Sequence, residues 1–265
     1  MANSPSGESM INRVVRVLAA FTDEEPAIHL RQLAREVDLP LSTAHRLVAE
    51  LEMEGLLERD PIGRLRHGYR LWELANRGSR AAGIREAALP AMEDLSTHTG
   101  HHVSLGVREG TDVLYIERLT SDDSTVNITR IAGRLPLHGC SGGLVFMAHA
   151  REAEQGRFLQ RRLEKLTGAT VTDPEKLRAL LASTRLLGYC SMAGIIVEES
   201  SGISVPIFAS PDEVVACLTV IVPLGKENLA AIIPALKMTS RAITRRLGYE
   251  PAAPMLRHRS LPFPD

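Results

Sequence analysis

Residues 38–70 read DLPLSTAHRLVAELEMEGLLERDPIGRLRHGYR. Asp38-Leu39-Pro40 is a tight turn, because Pro40 cannot continue a preceding helix but can open a new one. Ala44, Leu47, Val48 and Leu51 then recur at helical spacing, which predicts a helix over 41–54 that Gly55 ends. Two short apolar-alternating runs follow, 56–59 and 65–69. They flank Asp60-Pro61-Ile62-Gly63, whose Asp at i, Pro at i+1 and Gly at i+3 suit a type I turn. A helix, a turn, a second helix and then a hairpin is the order of a winged helix-turn-helix.

The chain upstream supplies the rest of that unit. Residues 10–21 fit a helix with Ser9 as its cap and Ile11, Val14, Val15, Leu18 and Ala19 on one buried face. Residues 30–37 fit a second, with Leu30, Leu33, Ala34 and Val37 inward. His29 is a poor cap there, although Gln32 stands where a capping box wants it. These faces cannot be buried alone, so the three helices must share one small core.

The exposed start of the 41–54 helix carries Leu41, Ser42, Thr43, His45 and Arg46. A recognition helix offers its N-terminal residues to base edges. Arg46 has the fork of donors that matches guanine, and Ser42 and Thr43 suit bases or phosphate. Arg64 and Arg66 are two apart, so they share one face of the wing and are expected on phosphate or in the minor groove. The competing reading of Arg46 is an i, i+4 pair with Glu50; for His45 it is a plain surface histidine. Glu50, Glu52 and Glu54 would repel phosphate, so the helix is expected to dock by its N-terminal end.

Composition excludes little but sets bounds. The 265 residues are 44% hydrophobic and 24% charged with a net charge of −1, so any basic footprint is local. No apolar run is long enough for a membrane span, and MANSPSGESM has no signal-peptide pattern. Three widely spaced cysteines, Cys140, Cys190 and Cys217, fit reduced thiols in the cytoplasm. No motif calls for a cofactor. Residues 1–8 and 251–265 read as loose ends, the latter a flexible tail.

Beyond the wing, RLWELANR (70–77) is helical, and Gly78-Ser79 and Gly83 interrupt it. The expected organisation is therefore a DNA-binding domain over 9–70, a linker helix over 71–83 and a second domain over 84–250. That domain opens with a helix over 84–97, bent or restarted at Pro90. The period then changes to two. A hairpin over 103–107 and 113–119, a third strand over 125–131, and strands over 194–199, 203–208 and 214–222 are expected. Helices are expected over 141–150, 152–166, 174–186 and 227–247, giving an α+β domain. Residues 135–138 read as a loop leading into the 141–150 helix.

Together these stretches resemble the IclR family of bacterial transcriptional regulators. The resemblance rests on DLPLSTAHRLVAELEMEGLLERDPIGR, on AGRLPLHGCSGG (132–143), on GYCSMAGIIVEESSGISVPIF (188–208) and on VVACLTVIVP (214–223). It covers roughly 9–250. It implies a winged helix, a linker helix and a GAF-like effector-binding domain. It also implies homodimers or homotetramers, paired partly through the DNA-binding domains, on a pseudo-palindromic double-stranded operator. By the same resemblance a small-molecule effector, its carboxylate near Ser141 and Gly142, is walled by Ile196, Val205, Thr219 and Ile221. The helix opening at Ser141 independently offers free backbone N–H groups to an anion. This sequence departs from the family where a Lys often follows PLH; here Gly142-Gly143-Leu144 stands. Three of the four walls are apolar, which points to an aromatic or branched acid, or a ligand without a carboxylate. As bare residues, Ile196, Val205 and Ile221 read equally well as core. Glu198-Glu199 reads as a solvated strand end.

Two rival readings use the same region. Gly139-Cys140-Ser141-Gly142-Gly143 fits the GxSxG elbow of serine hydrolases, with Ser141 as nucleophile. Only His149 and His258 lie downstream, and neither is placed as a base, so no catalytic residue is assigned. His98, His101, His102, His138 and Cys140 raise a metal-sensing regulator, but no ligand set has standard spacing.

Overall fold

The computed structural model describes residues 8–121 and 131–249. The chain divides into two compact units, 1–79 and 80–265. The strand expected over 125–131 falls almost wholly outside the described residues, as do both loose ends apart from Glu8.

The first unit contains α1 (Met10–Ala19), α2 (Leu30–Glu36), α3 (Leu41–Met53), the hairpin β1 (Leu57–Arg59) and β2 (Leu65–His67), and α4 (Tyr69–Asn76). Ser9 caps α1 by accepting from the Asn12 N–H. The α1 stripe differs from the expected one: Val17 and Arg13 are buried, with Val14 and Leu18 half-buried, while Ile11 and Val15 are 73% and 58% exposed. Asn12, Arg13 and Arg16 gather on one side of MINRVVRVLA and the apolar residues on the other, but the unit buries only one edge of that apolar stripe, together with Arg13, which pairs with Glu8. Gln32 forms no capping box; its amide donates to Glu25 and Glu36.

Between α2 and α3, Asp38 takes a φ of 47°, a left-handed conformation that Asp tolerates better than most residues. Ala44, Leu47, Val48 and Leu51 of α3 are all buried against Leu33, Val37 and Val17. The wing turn closes as a type I turn: the Gly63 N–H donates to the Asp60 carbonyl at 2.9 Å, and Asp60 Oδ1 accepts from the Arg64 N–H at 2.8 Å. Gly63 has a φ of 82°, which a side chain would strain. Ile28 exchanges both backbone bonds with Leu65, at 3.0 and 2.8 Å, so the segment before α2 adds a third strand to the wing.

The second unit is a single antiparallel sheet of six strands, ordered β5-β4-β3-β8-β7-β6. In chain order its elements are α5 (Arg80–Thr99), β3 (His102–Glu109), β4 (Asp112–Leu119), β5 (Arg134–Pro136), a 3₁₀ turn (Leu137–Gly139), α6 (Ser141–His149) and α7 (Glu152–Leu159). They continue with α8 (Pro174–Leu187), β6 (Cys190–Ala193), β7 (Ser200–Ser210), β8 (Glu213–Pro223) and α9 (Leu229–Arg246). Strand alternation separates two cores. Val103, Leu105, Ile203, Val205, Leu218 and Val220 face α5 and α9. Val113, Tyr115 and Cys217 face α6 and α8. This is the expected α+β, GAF-like domain, with helices on both sheet faces.

Several boundaries move. The helix α5 starts at Arg80 and continues through Pro90. Residues 134–136 are an edge strand, where Pro136 is tolerated because no ladder N–H is required of it. The 152–166 helix stops at Leu159, and 160–173 is irregular. The strand expected over 194–199 is a loop, and the strand is β6 just before it.

Candidate functional site

The start of α3 presents one polar face. Ser42, His45 and Arg46 are exposed, Thr43 is half-buried, and Leu41 is 48% exposed. No carboxylate pairs with Arg46 among the described residues, so the competing pair with Glu50 is not formed. On the wing, Leu65 turns inward, and its neighbours Arg64 and Arg66 lie on the other side of the strand. Both are already paired: Arg64 Nε with Asp60 at 2.8 Å, and Arg66 Nη2 with Glu58 across the hairpin at 2.7 Å. Arg59, one strand over, holds Glu52 of α3 at 2.9 Å. Among the described residues Arg46 of α3 has no ion pair, while Arg59, Arg64 and Arg66 of the wing rest on the protein's own carboxylates.

The second unit holds a cleft of about 480 Å³ of space free of protein atoms, partly open to solvent. Its floor is the start of α6 against β7 and β8, with Ser141, Gly202, Thr219 and Ile221. Its rim is Leu135 of β5 and the 195–197 loop, including Ile196. Tyr115 of β4, Cys140, Met192 of β6 and Ser200 of β7 also line it. No charged side chain lines it among the described residues.

Cys140 caps α6: its Sγ accepts from the Gly143 N–H at 3.3 Å, and its carbonyl accepts from Leu144. The Ser141 and Gly142 N–H groups precede the first intrahelical bond, and Ser141 lines the cleft, so the positive end of the helix dipole lies at its floor. Burial pushes the Cys140 thiol up to about 11, and pushes the Tyr115 hydroxyl well above its ordinary value. Both are therefore neutral donors near pH 7. Ser141 Oγ meets Ser204 Oγ at 2.7 Å, and Ser204 Oγ meets Thr219 Oγ1 at 2.6 Å. The cleft thus combines aliphatic walls, hydroxyls and one helix N-terminus.

Of the six effector residues expected from sequence, Ser141, Ile196, Thr219 and Ile221 meet here. Gly142 does not line the cleft; a Cβ added there would lie 2.5 Å from Cys217 Sγ, so its role is close helix–sheet packing. Val205 is turned to the opposite core, because it is odd-numbered on β7 where Gly202 and Ser204 face α6. Tyr115 and Ser200 also line the cleft and Ser204 lies beneath Ser141 and Thr219; none of the three stood among the expected residues. Parity on β7 would have found Ser204 once its pairing with Thr219 was fixed.

The rival readings are not assembled. Ser141 Oγ contacts Ser204, whereas His149 Nδ1 is bonded to the Val145 carbonyl at 2.9 Å and its ring stands edge-on to Phe208. His138 Nε2 donates to the Glu164 carbonyl, His102 accepts from the Ser121 N–H, and His98 is exposed. No three His, Cys, Asp or Glu side chains form a possible metal site among the described residues. Glu198 and Glu199 are exposed in the loop. No helix among these residues is long and apolar enough to cross a membrane.

Residues 11–61 match the model of the IclR helix-turn-helix domain, and residues 79–245 match that of the bacterial transcriptional regulator IclR C-terminal domain. The chain belongs to the IclR family. As an IclR-family protein it is a DNA-binding transcriptional regulator, and its relatives are regulators rather than enzymes. It is 28% identical over 244 residues to the HTH-type transcriptional regulator XynR of Escherichia coli, covering 90% of this chain and 97% of that one. The transcriptional repressor IclR of Escherichia coli is 25% identical over 185 residues, 68% of this chain and 67% of that one. Among solved structures, an IclR homolog from Microbacterium hydrocarbonoxydans, complexed with 4-hydroxybenzoate, is 40% identical. It superimposes with a TM-score of 0.85, covering 91% of this chain and 99% of that one.

Proposed function

We propose that this IclR-family regulator binds a small aromatic carboxylic acid in the Ser141 cleft, and that the ligand alters its affinity for operator DNA. The observation that carries this is the cleft's composition: a helix N-terminus for the acid group, aliphatic side chains for a ring, and no charged side chain. A small keto acid is mostly polar surface and would leave Ile196, Ile221 and Leu135 facing water or empty space. An aromatic ring buries against them, worth roughly 25 cal/mol per Å² removed from water. The 40% identical structure with 4-hydroxybenzoate supports the same ligand class.

On DNA, Arg46, with Ser42, Thr43, Leu41 and His45 beside it, reads the major groove, and Arg64 and Arg66 reach the backbone. Residues 9–70 form the DNA-binding part and 84–250 the ligand-binding part, joined through 71–83. Met10, Ile11 and Val15 of α1 and Tyr69, Trp72 and Leu74 of α4 are exposed apolar side chains. A second copy covering them gives a dimer, whose two recognition helices meet a pseudo-palindromic site. Ligand moves the DNA equilibrium only by its differential affinity for the two states.

A thermal-shift panel of benzoates against pyruvate and glyoxylate tests the reading. A benzoate at about 100 times its Kd stabilises by about 2.7 kcal/mol, and a gel shift with that ligand changes DNA affinity. Stabilisation by the keto acids alone sinks it.

A further inference from the structure

Two cations stand without a partner on the helix next to α3. Leu33, Ala34 and Val37 turn one side of α2 and its C-cap into the core. Arg31 and Arg35, four residues apart, are left one above the other on the outer side. Both are exposed, and neither has an ion pair among the described residues. With Asp38, Leu39 and Leu41 they line one open recess between α2 and the start of α3. The nearby acids do not answer them. The Glu36 carboxylate accepts from the Gln32 amide at 2.9 Å, and Asp38 pairs with neither arginine. The recess therefore carries two positive charges against one negative. Its far edge is also positive. Pro40 gives α3 no side-chain cap, and the first helical bond runs from the Ala44 N–H to the Pro40 carbonyl at 2.9 Å, so the N–H groups of residues 41–43 are free.

The wing offers a contrast. Arg59, Arg64 and Arg66 rest on Glu52, Asp60 and Glu58, and each must leave a carboxylate before it can hold phosphate. Arg31 and Arg35 have no such pair to break. With the start of α3 in the major groove, the adjoining side of α2 lies over the strand that borders the groove. Their Cβ atoms, one helical turn apart, are separated by about 5–6 Å. Long, flexible stems then let each guanidinium take its own phosphate on that strand.

We propose that Arg31 and Arg35 are a sequence-independent anchor on the DNA backbone. Each neutralises one phosphate, on operator and on unrelated duplex alike, while base reading stays with α3. Binding to unrelated sequence draws on α2 first, because its arginines give up no internal contact. This rests on the docking of α3 by its N-terminal end given above.

Anisotropy titration of the full-length protein at several salt concentrations tests it, on a duplex selected by the protein from random DNA and on a scrambled version. Each phosphate contact adds about 0.9 to the slope of log affinity against log salt. Arg31→Ala and Arg35→Ala should each reduce that slope by about 0.9, and the double variant by about 1.8, on both duplexes. Between about 50 and 200 mM salt, wild type should then lose roughly tenfold more affinity than the double variant. The specific-to-scrambled ratio should stay within about threefold of its starting value. Lysine at both positions keeps the charge and should keep the slope. Alanine favours helix and neither arginine holds a contact, so the fold should survive, and urea unfolding checks that it does. A double-variant slope that falls by less than about 1 overturns the proposal, as does a loss confined to the selected duplex. Arg46→Ala, run alongside, separates the two readings. If it lowers the ratio while the double variant keeps its slope, the docking stands and the anchor fails. If neither quantity moves, both fail.

Discussion

On the docking proposed above, Arg46→Ala separates stability from recognition. Arg46 is exposed and unpaired among the described residues, so its removal breaks no contact in the free protein. Its stability effect should be within about 0.5 kcal/mol. A forked contact to guanine O6 and N7 is worth about 1–3 kcal/mol of discrimination per half-site, roughly 5- to 150-fold in affinity. Arg66→Ala is the natural comparator. Arg66 must first leave Glu58, a half-exposed pair worth about 0–1 kcal/mol, and its gain on DNA is a phosphate contact. Its loss should weaken all DNA alike and lower the salt slope by about 1. The assay is gel-shift or anisotropy titration at several salt concentrations, on a site selected by the protein from random DNA and on a scrambled version. Arg46→Ala should lower the specific-to-scrambled ratio by about tenfold or more; Arg66→Ala should leave that ratio near its starting value. An unchanged ratio in Arg46→Ala removes Arg46 from the base-reading set, and with it the docking of α3 by its N-terminal end.

Further expectations concern stability. Leu65 is fully buried and joins Ile28, the wing and the three-helix core, so Leu65→Ala should cost about 2–5 kcal/mol in urea unfolding and abolish DNA binding. Gly143→Ala places a Cβ 2.1 Å from the Leu137 carbonyl oxygen, a backbone clash, and should cost about 3 kcal/mol or more, read as lost soluble yield or a lowered melting temperature. Burial, helped by the charge of Arg185, holds His149 below its ordinary value against the opposing Val145 carbonyl. Its folded form binds a proton less readily than its unfolded form. Its contribution is therefore complete above about pH 6.5 and lost as pH falls from there through the folded value. Denaturation midpoints between pH 5 and 7.5 should decline more steeply on the acid side for wild type than for His149→Gln; equal slopes would contradict this.

Where one face of an element is polar, its burial was legible in the sequence. Ala44, Leu47, Val48 and Leu51 of α3 are buried as periodicity requires, because Glu50, Glu52 and Arg46 mark the other side. In α1 the contrast is as clear, with Asn12, Arg13 and Arg16 on one side, yet the unit buries only one edge of the apolar stripe and leaves Ile11 and Val15 exposed. The wing turn was legible because Asp60, Pro61 and Gly63 each impose a backbone conformation. The cleft was legible only where a local signal marked it, as glycines and a helix start mark Ser141. Val205 was misassigned because strand parity is meaningless until a partner strand fixes the register. The loop at 194–199 is as apolar as a strand, but its apolar side chains line a cleft instead of a sheet face. Ion pairing of the wing arginines depends on cross-hairpin register, Glu58 opposite Arg66, which no linear pattern displays.

Those wing pairs bear on how the protein partitions over a chromosome. A regulator competes for its site against roughly 10⁶–10⁹ unrelated ones. On the proposed docking, arginines resting on Glu58 and Asp60 meet any phosphate with their charge already spent on an internal rival. That exchange costs the same on every sequence, so it weakens operator and random DNA alike and leaves discrimination to the base contacts of α3. The wing carboxylates thus lower the share of molecules held by arbitrary sequence and raise the share free to search. Glu58→Gln should tighten the grip on operator and scrambled DNA by a similar factor.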